Sequence, residues 1–173
     1  MQLIALGSSI KFGPVGEPQE VVRAAFTEIE RRIGGLTSVS RLYGTKAWPD
    51  PSQPSFVNAA ARLDCNLEPV ALLDALLTIE LDFGRRRSVP NAPRTLDLDV
   101  IAVDDQVIEH ARLQLPHPRM QDRVFVLQPL CDVAPLWRHP QTKQTTQEML
   151  AQVQANPTFD LTDIWPLAET PAP

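Results

Sequence analysis

Hydrophobic residues in the first part of the chain alternate between strand-like and helix-like spacing. The run from Met1 to Gly7 is apolar and far too short to span a membrane, so it predicts a first strand that turns at Gly7-Ser8-Ser9. From Pro18 to Ile33 the apolar residues recur every three or four positions. This spacing predicts a helix, which Gly34-Gly35 ends.

The middle of the chain repeats this order of elements. Leu36 to Tyr43 and Phe56 to Asn66 have strand character, and a Pro-rich segment separates them. Pro69 to Phe83 predicts a second helix with Gly84 as its stop signal, and Thr95 to Val103 predicts another strand. The resulting order is strand, helix, strand, strand, helix, strand.

This order is typical of the α+β class and of the ferredoxin-like βαββαβ arrangement, an antiparallel sheet with helices packed on it. The last third predicts extra C-terminal strands and helices: short edge strands within 107–115, helical turns within 119–133 and a helix over 145–155. We expect a single domain over residues 1–165 and a flexible C-terminal tail over residues 166–173.

Composition narrows the possible partners. With 173 residues, of which 43% are hydrophobic, the chain can bury one sizeable core. The formal charge of −5 gives no general attraction to nucleic acid or to an anionic membrane, so a phosphate site must be a local basic cluster. The two cysteines, Cys65 and Cys131, are too few for a disulfide framework and suit a reducing cytoplasm.

One predicted strand carries two carboxylates, Asp97 and Asp99. Because side chains alternate along a strand, both carboxylates project from one face while Leu96 and Leu98 project from the other. Neighbouring carboxylates on a mostly buried strand repel each other unless a cation lies close, and Mg²⁺ prefers oxygen ligands. The alternative is the solvated outer face of an edge strand.

Arginines surround this carboxylate pair in the sequence. They are Arg85, Arg86, Arg87 and Arg94 before it, and Arg119 and Arg123 after it. Guanidinium groups bind phosphate oxygens while a metal neutralises the remaining charge, so the combination indicates a metal-bound polyphosphate. The alternative is that the arginines simply pair with Asp82, Asp97 and Asp99.

Aromatic residues next to polar ones indicate a flat organic substrate. Phe56 and Asn58 share one face of a predicted strand, and Phe125 follows Arg123 in a similar way. A heteroaromatic ring stacked on such a side chain gains about 1–3 kcal/mol, by analogy with nucleobase stacking. The alternative is that both phenylalanines belong to the core.

Several short motifs are spread over most of the chain. They are Ala5-Leu6-Gly7-Ser8-Ser9, Leu42-Tyr43-Gly44-Thr45, Phe56-Val57-Asn58-Ala59-Ala60, Ile79-Glu80-Leu81 with Gly84-Arg85, Pro93-Arg94-Thr95-Leu96-Asp97-Leu98-Asp99, and Pro116-His117-Pro118-Arg119-Met120 with Arg123-Val124-Phe125. From Ile4 to about Pro135 the chain thereby resembles the 6-hydroxymethyl-7,8-dihydropterin pyrophosphokinase family. The fifth motif, followed at this distance by Pro-His and Arg-x-Phe, is highly specific.

The resemblance implies an ATP-dependent enzyme of folate biosynthesis. It would transfer pyrophosphate from ATP to 6-hydroxymethyl-7,8-dihydropterin, by attack of the hydroxymethyl oxygen on the β-phosphorus, and release AMP. It implies two Mg²⁺ ions held by Asp97 and Asp99. We expect a cytoplasmic monomer that acts on small molecules and binds neither nucleic acid nor membrane.

The resemblance also implies a role for individual residues. Arg85, Arg94, Asp97 and Asp99 match catalytic positions; Arg85, Arg87, Arg94, His117 and Arg123 match phosphate contacts; Thr45, Phe56, Asn58 and Phe125 match pterin contacts. The loop from Arg85 to Pro93 would act as a mobile lid. Glu80 lies on the apolar stripe of its helix, seven residues after Leu73, and is expected to be a buried supporting residue.

Three departures from the family pattern are visible. The chain has Gly7-Ser8-Ser9 where the family usually has Gly-Ser-Asn, and Pro90-Asn91-Ala92 where many members have Arg-Trp in a loop one residue longer. Phe56 stands where a tyrosine is common. None of these changes removes an expected metal ligand or one of the main arginines.

Two other functions are alternatives to this interpretation. A ferredoxin-like sheet can bind RNA, but the chain has neither the basic charge nor the Lys/Arg-Gly-Phe pattern of such modules. A catalytically silent pterin- or nucleotide-binding regulator with the same fold is the second alternative. No Gly-x-x-x-x-Gly-Lys-Ser/Thr segment is present, which excludes a P-loop kinase.

Overall fold

The computed structural model describes residues 1–47, 50, 52–86, 93–156 and 160–168. The strands are β1 (Gln2–Ser8), β2 (Leu36–Val39), β3 (Tyr43–Thr45), β4 (Phe56–Leu63), β5 (Asp97–Val103), β6 (Ile108–His110), β7 (Leu113–Leu115) and β8 (Ile164–Pro166). The helices are α1 (Pro18–Arg32), α2 (Pro69–Asp82), α3 (Val124–Val133) and α4 (Thr146–Gln154). The predicted α+β order of elements is confirmed.

Six strands form one antiparallel sheet in the order β5-β1-β4-β3-β8, with β2 also paired to β4. Since β1 lies between β4 and β5, and the β2/β3 segment lies beyond β4, the sheet has the ferredoxin-like arrangement. The central position of β1 places Gly7 opposite Asn58 on one side and opposite Asp97 on the other.

Helices α1 and α2 cover one face of this sheet. The strand residues buried beneath them alternate in sequence, as in Val57, Ala59, Ala61 and Leu63 of β4. The amphipathic stripe of α1 supplies Val21, Val22, Ala25 and Ile29, and that of α2 supplies Leu72, Leu76 and Ile79. This apolar core packs one face of the sheet against the two helices. The opposite face is available to contact other elements.

Helices α3 and α4 pack on the opposite face, a location that the sequence pattern did not reveal. Their buried residues contact the alternate strand positions Leu3, Ala60 and Ile101. Beyond that apolar patch, Phe56, Asp97 and Asp99 project from the same face and stay partly accessible. One sheet face therefore carries both a second core and an open polar end.

Two predicted features near this open end differ in the structure. The single strand predicted over 36–43 is divided into β2 and β3, because Ser40 breaks the ladder: its hydroxyl accepts a hydrogen bond from the Ala60 N–H at 2.9 Å and donates one to the Arg41 carbonyl at 2.7 Å. Gly7 and Ser8, predicted to turn the chain, belong to β1.

The C-terminal third also differs from expectation in detail. The β6 and β7 strands pair only with each other instead of extending the main sheet. Strand β8 pairs with β3, and the Leu167 N–H donates a hydrogen bond to the Leu42 carbonyl at 2.9 Å. Residues 169–173 lie outside the described part, so the division into domain and tail stays a prediction. No helix in the described ranges is long and apolar enough to cross a membrane.

Candidate active site

The candidate site is centred on a row of three residues across the middle of the sheet. Asn58 of β4, Gly7 of β1 and Asp97 of β5 lie directly opposite one another and so project from the same face. Neighbouring strands are about 4.8 Å apart, which separates Asn58 from Asp97 by about 10 Å. A two-ring heterocycle with a short arm spans that distance.

Gly7 forms the floor of the site, a role that the sequence analysis missed. A Cβ atom at this position would lie 3.6 Å from Asn58 Oδ1, 3.8 Å from Asp97 Cβ and 3.9 Å from Phe56 Cδ1. The absent side chain thus leaves open the space between these three residues. Only the strand register shows this, because it sets which residues flank Gly7.

On one side of Gly7 lies the charged half of the site, which we define as Arg85, Arg94, Asp97 and Asp99. Asp97 forms ion pairs with both arginines, and the Arg94 Nη1 atom lies 2.9 Å from Asp97 Oδ2. Arg85 is shared with Glu80, which is only 2% exposed. The predicted burial of Glu80 is confirmed, and its Oε1 atom also accepts the Leu98 N–H at 2.7 Å.

Asp99 lies beside Asp97 on the same face, and its environment disfavours ionisation. Burial, followed by the negative charge of Asp97, raises the pKa of Asp99 to about 6. The arginines Arg85, Arg94 and Arg123 act in the opposite direction but do not cancel the effect. A cation that binds next to Asp99 would therefore stabilise its ionised form.

The donor set of the charged half fits Mg²⁺ bound together with phosphates. Within the described ranges, no group of three or more His, Cys, Asp or Glu side chains converges to form a complete metal cage. Asp97 and Asp99 therefore supply two carboxylates and leave the other positions to water or substrate. Mg²⁺ is commonly bound in this way, by one or two carboxylates plus substrate phosphates.

Arg94 connects the charged half with the aromatic part of the site. Its guanidinium carbon lies 5.4 Å from the centre of the Phe56 ring while the group stays paired with Asp97. Its Nε atom is buried and has no hydrogen-bond partner in the described part of the chain. A buried donor of this kind fits a phosphate oxygen as its missing acceptor.

On the other side of Gly7 lie Thr45, Phe56 and Asn58. Together with Phe125 of α3, which packs on the same sheet face, we define them as the ring half of the site. The Asn58 Nδ2 atom donates a hydrogen bond to the Thr45 hydroxyl at 2.8 Å, and both side chains are buried. Because the Thr45 oxygen accepts this bond, its own hydrogen can donate to a second acceptor. Phe125 is the second residue of α3, and the guanidinium carbon of Arg123 lies 5.4 Å from the centre of its ring.

His117 lies in the loop that follows β7, and its backbone N–H donates to the Ile101 carbonyl of β5 at 2.8 Å. Burial, with the positive charges of Arg123 and Arg119, lowers the pKa of His117 to about 4. Its Nδ1 atom accepts the Arg119 N–H at 3.2 Å, so the neutral ring carries its hydrogen on Nε2. That N–H is a donor suited to a phosphate oxygen.

A cavity of about 380 Å³ adjoins the charged half. Asp99 and His117 line it at the end nearest the site, and Leu73, His110 and Gln114 line it elsewhere. Its lining combines apolar side chains with groups that can form hydrogen bonds. Its position places a bound molecule next to the carboxylates.

The structure places all but one of the predicted site residues on this face or beside it. Arg87 and residues 88–92 of the predicted lid lie outside the described residues. The sequence analysis did not single out Tyr43, whose hydroxyl donates to Asp132 Oδ2 at 3.0 Å and so ties β3 to α3. Its location in a motif was the available signal, but its partner lies 89 residues away.

Comparison with known proteins links this geometry to one family. Residues 3–135 match the family described as 7,8-dihydro-6-hydroxymethylpterin-pyrophosphokinase. A 2-amino-4-hydroxy-6-hydroxymethyldihydropteridine pyrophosphokinase from Pseudomonas aeruginosa is 43% identical over 149 residues, which cover 86% of the chain and 89% of that protein. A protein of the same name from Synechocystis is 40% identical over 171 residues, covering 96% of the chain and 80% of that protein.

Solved structures show the same fold. The wild-type HPPK-DHPS of Plasmodium falciparum, crystallised with pterin and p-hydroxybenzoate, superimposes with a TM-score of 0.71 at 11% identity. The superposition covers 95% of this chain and 44% of that one, so this chain spans less than half of the Plasmodium structure. At such low identity the likeness concerns the fold alone.

Proposed function

Because this chain belongs to the 7,8-dihydro-6-hydroxymethylpterin-pyrophosphokinase family, we propose that it transfers pyrophosphate from ATP to 6-hydroxymethyl-7,8-dihydropterin. The products are the pterin diphosphate and AMP, in folate biosynthesis. The row Asn58, Gly7 and Asp97 is the observation that carries this proposal. Along this row a pocket for a flat ring lies next to a carboxylate pair, with about 10 Å between Asn58 and Asp97.

Asp97 and Asp99 are the residues that would hold Mg²⁺, with two ions expected. When bound, the metal neutralises phosphate charge. The raised pKa of Asp99 and the pairing of Asp97 with two arginines support this assignment, since a cation beside the two carboxylates would offset their mutual repulsion and the arginines lie where polyphosphate would bind. Arg85 and Arg94 then have phosphate oxygens available as alternative partners for their guanidinium groups.

The nucleotide would extend from the charged half into the 380 Å³ cavity beside Asp99. Arg123 and the Nε2–H of His117 lie on this route and would bind phosphate oxygens. Arg87 retains its predicted phosphate contact as an expectation from the family resemblance. The nucleoside would then occupy the part of the cavity lined by Leu73 and Gln114.

The pterin would occupy the ring half. Phe56 and Phe125 supply apolar faces for stacking, and Thr45 and Asn58 supply a polar edge that is already hydrogen-bonded in place. Gly7 keeps the floor open so that the hydroxymethyl arm points toward Asp97. A polar edge fixed in advance favours one orientation of the ring and hence of the attacking oxygen.

The chemistry needs alignment and charge neutralisation more than it needs a base. Transfer through a loose transition state is favoured by positioning and by electrostatic stabilisation of the phosphate oxygens. His117 is poorly suited to remove the hydroxyl proton, because its lowered pKa makes it a weak base. Asp97 and Asp99, which would hold the metal, and the arginines therefore account for most of the contribution that this chain makes to catalysis.

An assay of the products tests the proposed function. Purified protein with ATP, MgCl₂ and hydroxymethyldihydropterin should release AMP in proportion to the pterin diphosphate formed. Release of ADP alone would reject the two-phosphate transfer. Binding of both ligands without AMP would instead favour the silent regulator, an alternative that the relatives' names do not support.

We also propose that the protein works as a cytoplasmic monomer. Both cysteines are free thiols, which suits a reducing compartment. Sedimentation at micromolar concentration should give the mass of one chain, 19.2 kDa. A larger species would contradict the proposed monomer.

A further inference from the structure

Ser9 lies at the end of β1 and contacts the backbone of Arg94 in both directions. The Ser9 N–H donates to the Arg94 carbonyl at 3.0 Å, and the Ser9 hydroxyl accepts the Arg94 N–H at 3.0 Å. The Ser9 side chain is buried, with the residue only 4% exposed. These two bonds hold Arg94 at the point where the chain enters β5.

The guanidinium of Arg94 is oriented by what its backbone allows. It pairs with Asp97 at 2.9 Å, lies over the Phe56 ring at 5.4 Å and keeps its buried Nε without a partner in the described residues. A shift of the Arg94 backbone would disturb all three relations at once. The serine thus controls a group of the charged half that also contacts Phe56 of the ring half.

We propose that Ser9 is a positioning residue, whose hydroxyl anchors the Arg94 backbone so that the guanidinium stays between Asp97 and Phe56 to bind a phosphate oxygen. The proposal rests on the proposed function and assigns a task to a residue at which this chain departs from the usual Gly-Ser-Asn pattern. The Ser9 hydroxyl reaches the Arg94 backbone directly. A serine, although shorter than the usual asparagine, can therefore anchor Arg94.

Ser9→Ala is the informative change, and Ser8→Ala is its matched control. Ser8 is the adjacent residue and is fully buried, but it projects to the opposite face. Among the described residues its hydroxyl makes only a long bond of 3.5 Å to the Ile10 carbonyl. Both variants remove one buried hydroxyl from the same strand end. Only Ser9→Ala deprives the Arg94 N–H of its acceptor.

The first measurement needs no ligand. Amide hydrogen exchange at Arg94 should be about tenfold faster or more in Ser9→Ala than in wild type, because the N–H loses its partner. Ser8→Ala and Ser9→Thr, which keeps a hydroxyl, should exchange at the wild-type rate. Unchanged protection of the Arg94 amide in Ser9→Ala would overturn the proposal.

The second measurement is the kinetics of AMP release. We expect kcat/KM to fall about tenfold in Ser9→Ala, with the larger share in kcat, and to stay near wild type in Ser8→Ala and Ser9→Thr. In an Arg94→Ala background, adding Ser9→Ala should cause no further loss, whereas a purely structural role would lower the rate by the same factor in both backgrounds.

The two measurements separate the possible failures. If wild type releases no AMP, the proposed function is wrong, and the exchange of the Arg94 amide still decides whether Ser9 anchors it. If wild type is active and Ser9→Ala has wild-type kcat/KM, the positioning role is wrong while the function stands.

Discussion

The two halves of the site differ in how far their polar groups are satisfied before a ligand arrives. In the charged half, Asp97 is paired with Arg85 and Arg94, and Arg85 is also paired with Glu80. In the ring half, one hydrogen bond from Asn58 to Thr45 fixes the polar edge. The charged half must exchange existing ion pairs for new ones, while the ring half only adds contacts.

This difference predicts which kinetic constant each half controls. An exchange of ion pairs contributes little net affinity, because attraction lost within the protein offsets attraction gained with phosphate. Its benefit appears where charge moves, in the transition state, and so in kcat. Contacts that the ring half adds on binding contribute to the affinity for the pterin and so to KM.

The largest effect is expected from Asp97→Asn, which keeps the shape of the side chain but removes its charge. Loss of a metal ligand removes several kcal/mol of stabilisation, so kcat for AMP release should fall by about 10³-fold or more. The thermal midpoint should change little by comparison. Glu109→Gln, on the exposed strand β6, is the control for loss of a carboxylate elsewhere. An Asp97→Asn enzyme with normal turnover would disprove the metal assignment.

A smaller effect of a different kind is expected from Thr45→Val, which keeps the volume of the side chain. It leaves the buried Asn58 N–H without its acceptor, a loss of about 1–3 kcal/mol or about 10- to 100-fold in affinity. The KM for the pterin should rise by that factor while the KM for ATP stays unchanged. Thr37→Val, on the exposed face of β2, serves as the control. Equal rises in both KM values would contradict the separation into halves.

The two halves also differ in what the sequence could reveal. The alternation around Asp97 and Asp99 predicted their common face, since Leu96 and Leu98 had to enter the core. The floor at Gly7 could not be predicted, because it depends on the register of β1 against two strands distant in sequence. A local pattern contains no such information.

The sheet face on which α3 packs could not be predicted from the sequence for a related reason. The apolar stripe of α3 predicts a helix but not which sheet face it covers, which depends on its contacts with strand residues such as Leu3, Ala60 and Ile101. The split between β2 and β3 depends on the Ser40 hydroxyl, which accepts the Ala60 N–H in place of a backbone carbonyl. Strand propensity alone does not predict such a side-chain hydrogen bond. The resemblance to a family supplied the residue roles that periodicity could not.

A moderate, pH-dependent effect on the charged half is expected from Asp99. Because its pKa is raised to about 6, the folded protein holds this proton more tightly than the unfolded chain does. Without metal, folding stability therefore decreases as pH rises through the range from the ordinary carboxyl pKa to about 6, and the loss is complete above it.

Thermal denaturation of metal-free Asp99→Asn tests this linkage. The variant should be more stable than wild type at pH 7.5, and the difference should shrink at pH 5, where wild-type Asp99 is mostly protonated. Asp105→Asn, in an exposed turn, should show neither change. A stability gain that is independent of pH would mean that the Asp99 charge is not the cause.

The smallest effect is expected from His117→Gln, which keeps an N–H donor near the position of Nε2. Since the pKa of His117 is lowered to about 4, the ring is neutral at every pH at which the protein would be assayed, and its contact with phosphate does not titrate. Because only one neutral hydrogen bond is weakened, kcat/KM of the variant should fall by only a few-fold. The factor should be about the same at pH 6 and at pH 8. His139→Gln, in the segment before α4 and outside the lining of the cavity, is the control for the pH–rate profiles. A limb near pH 6.5 that disappears in His117→Gln would show instead that this histidine exchanges a proton during turnover, and the chain would then supply a base next to the charged half.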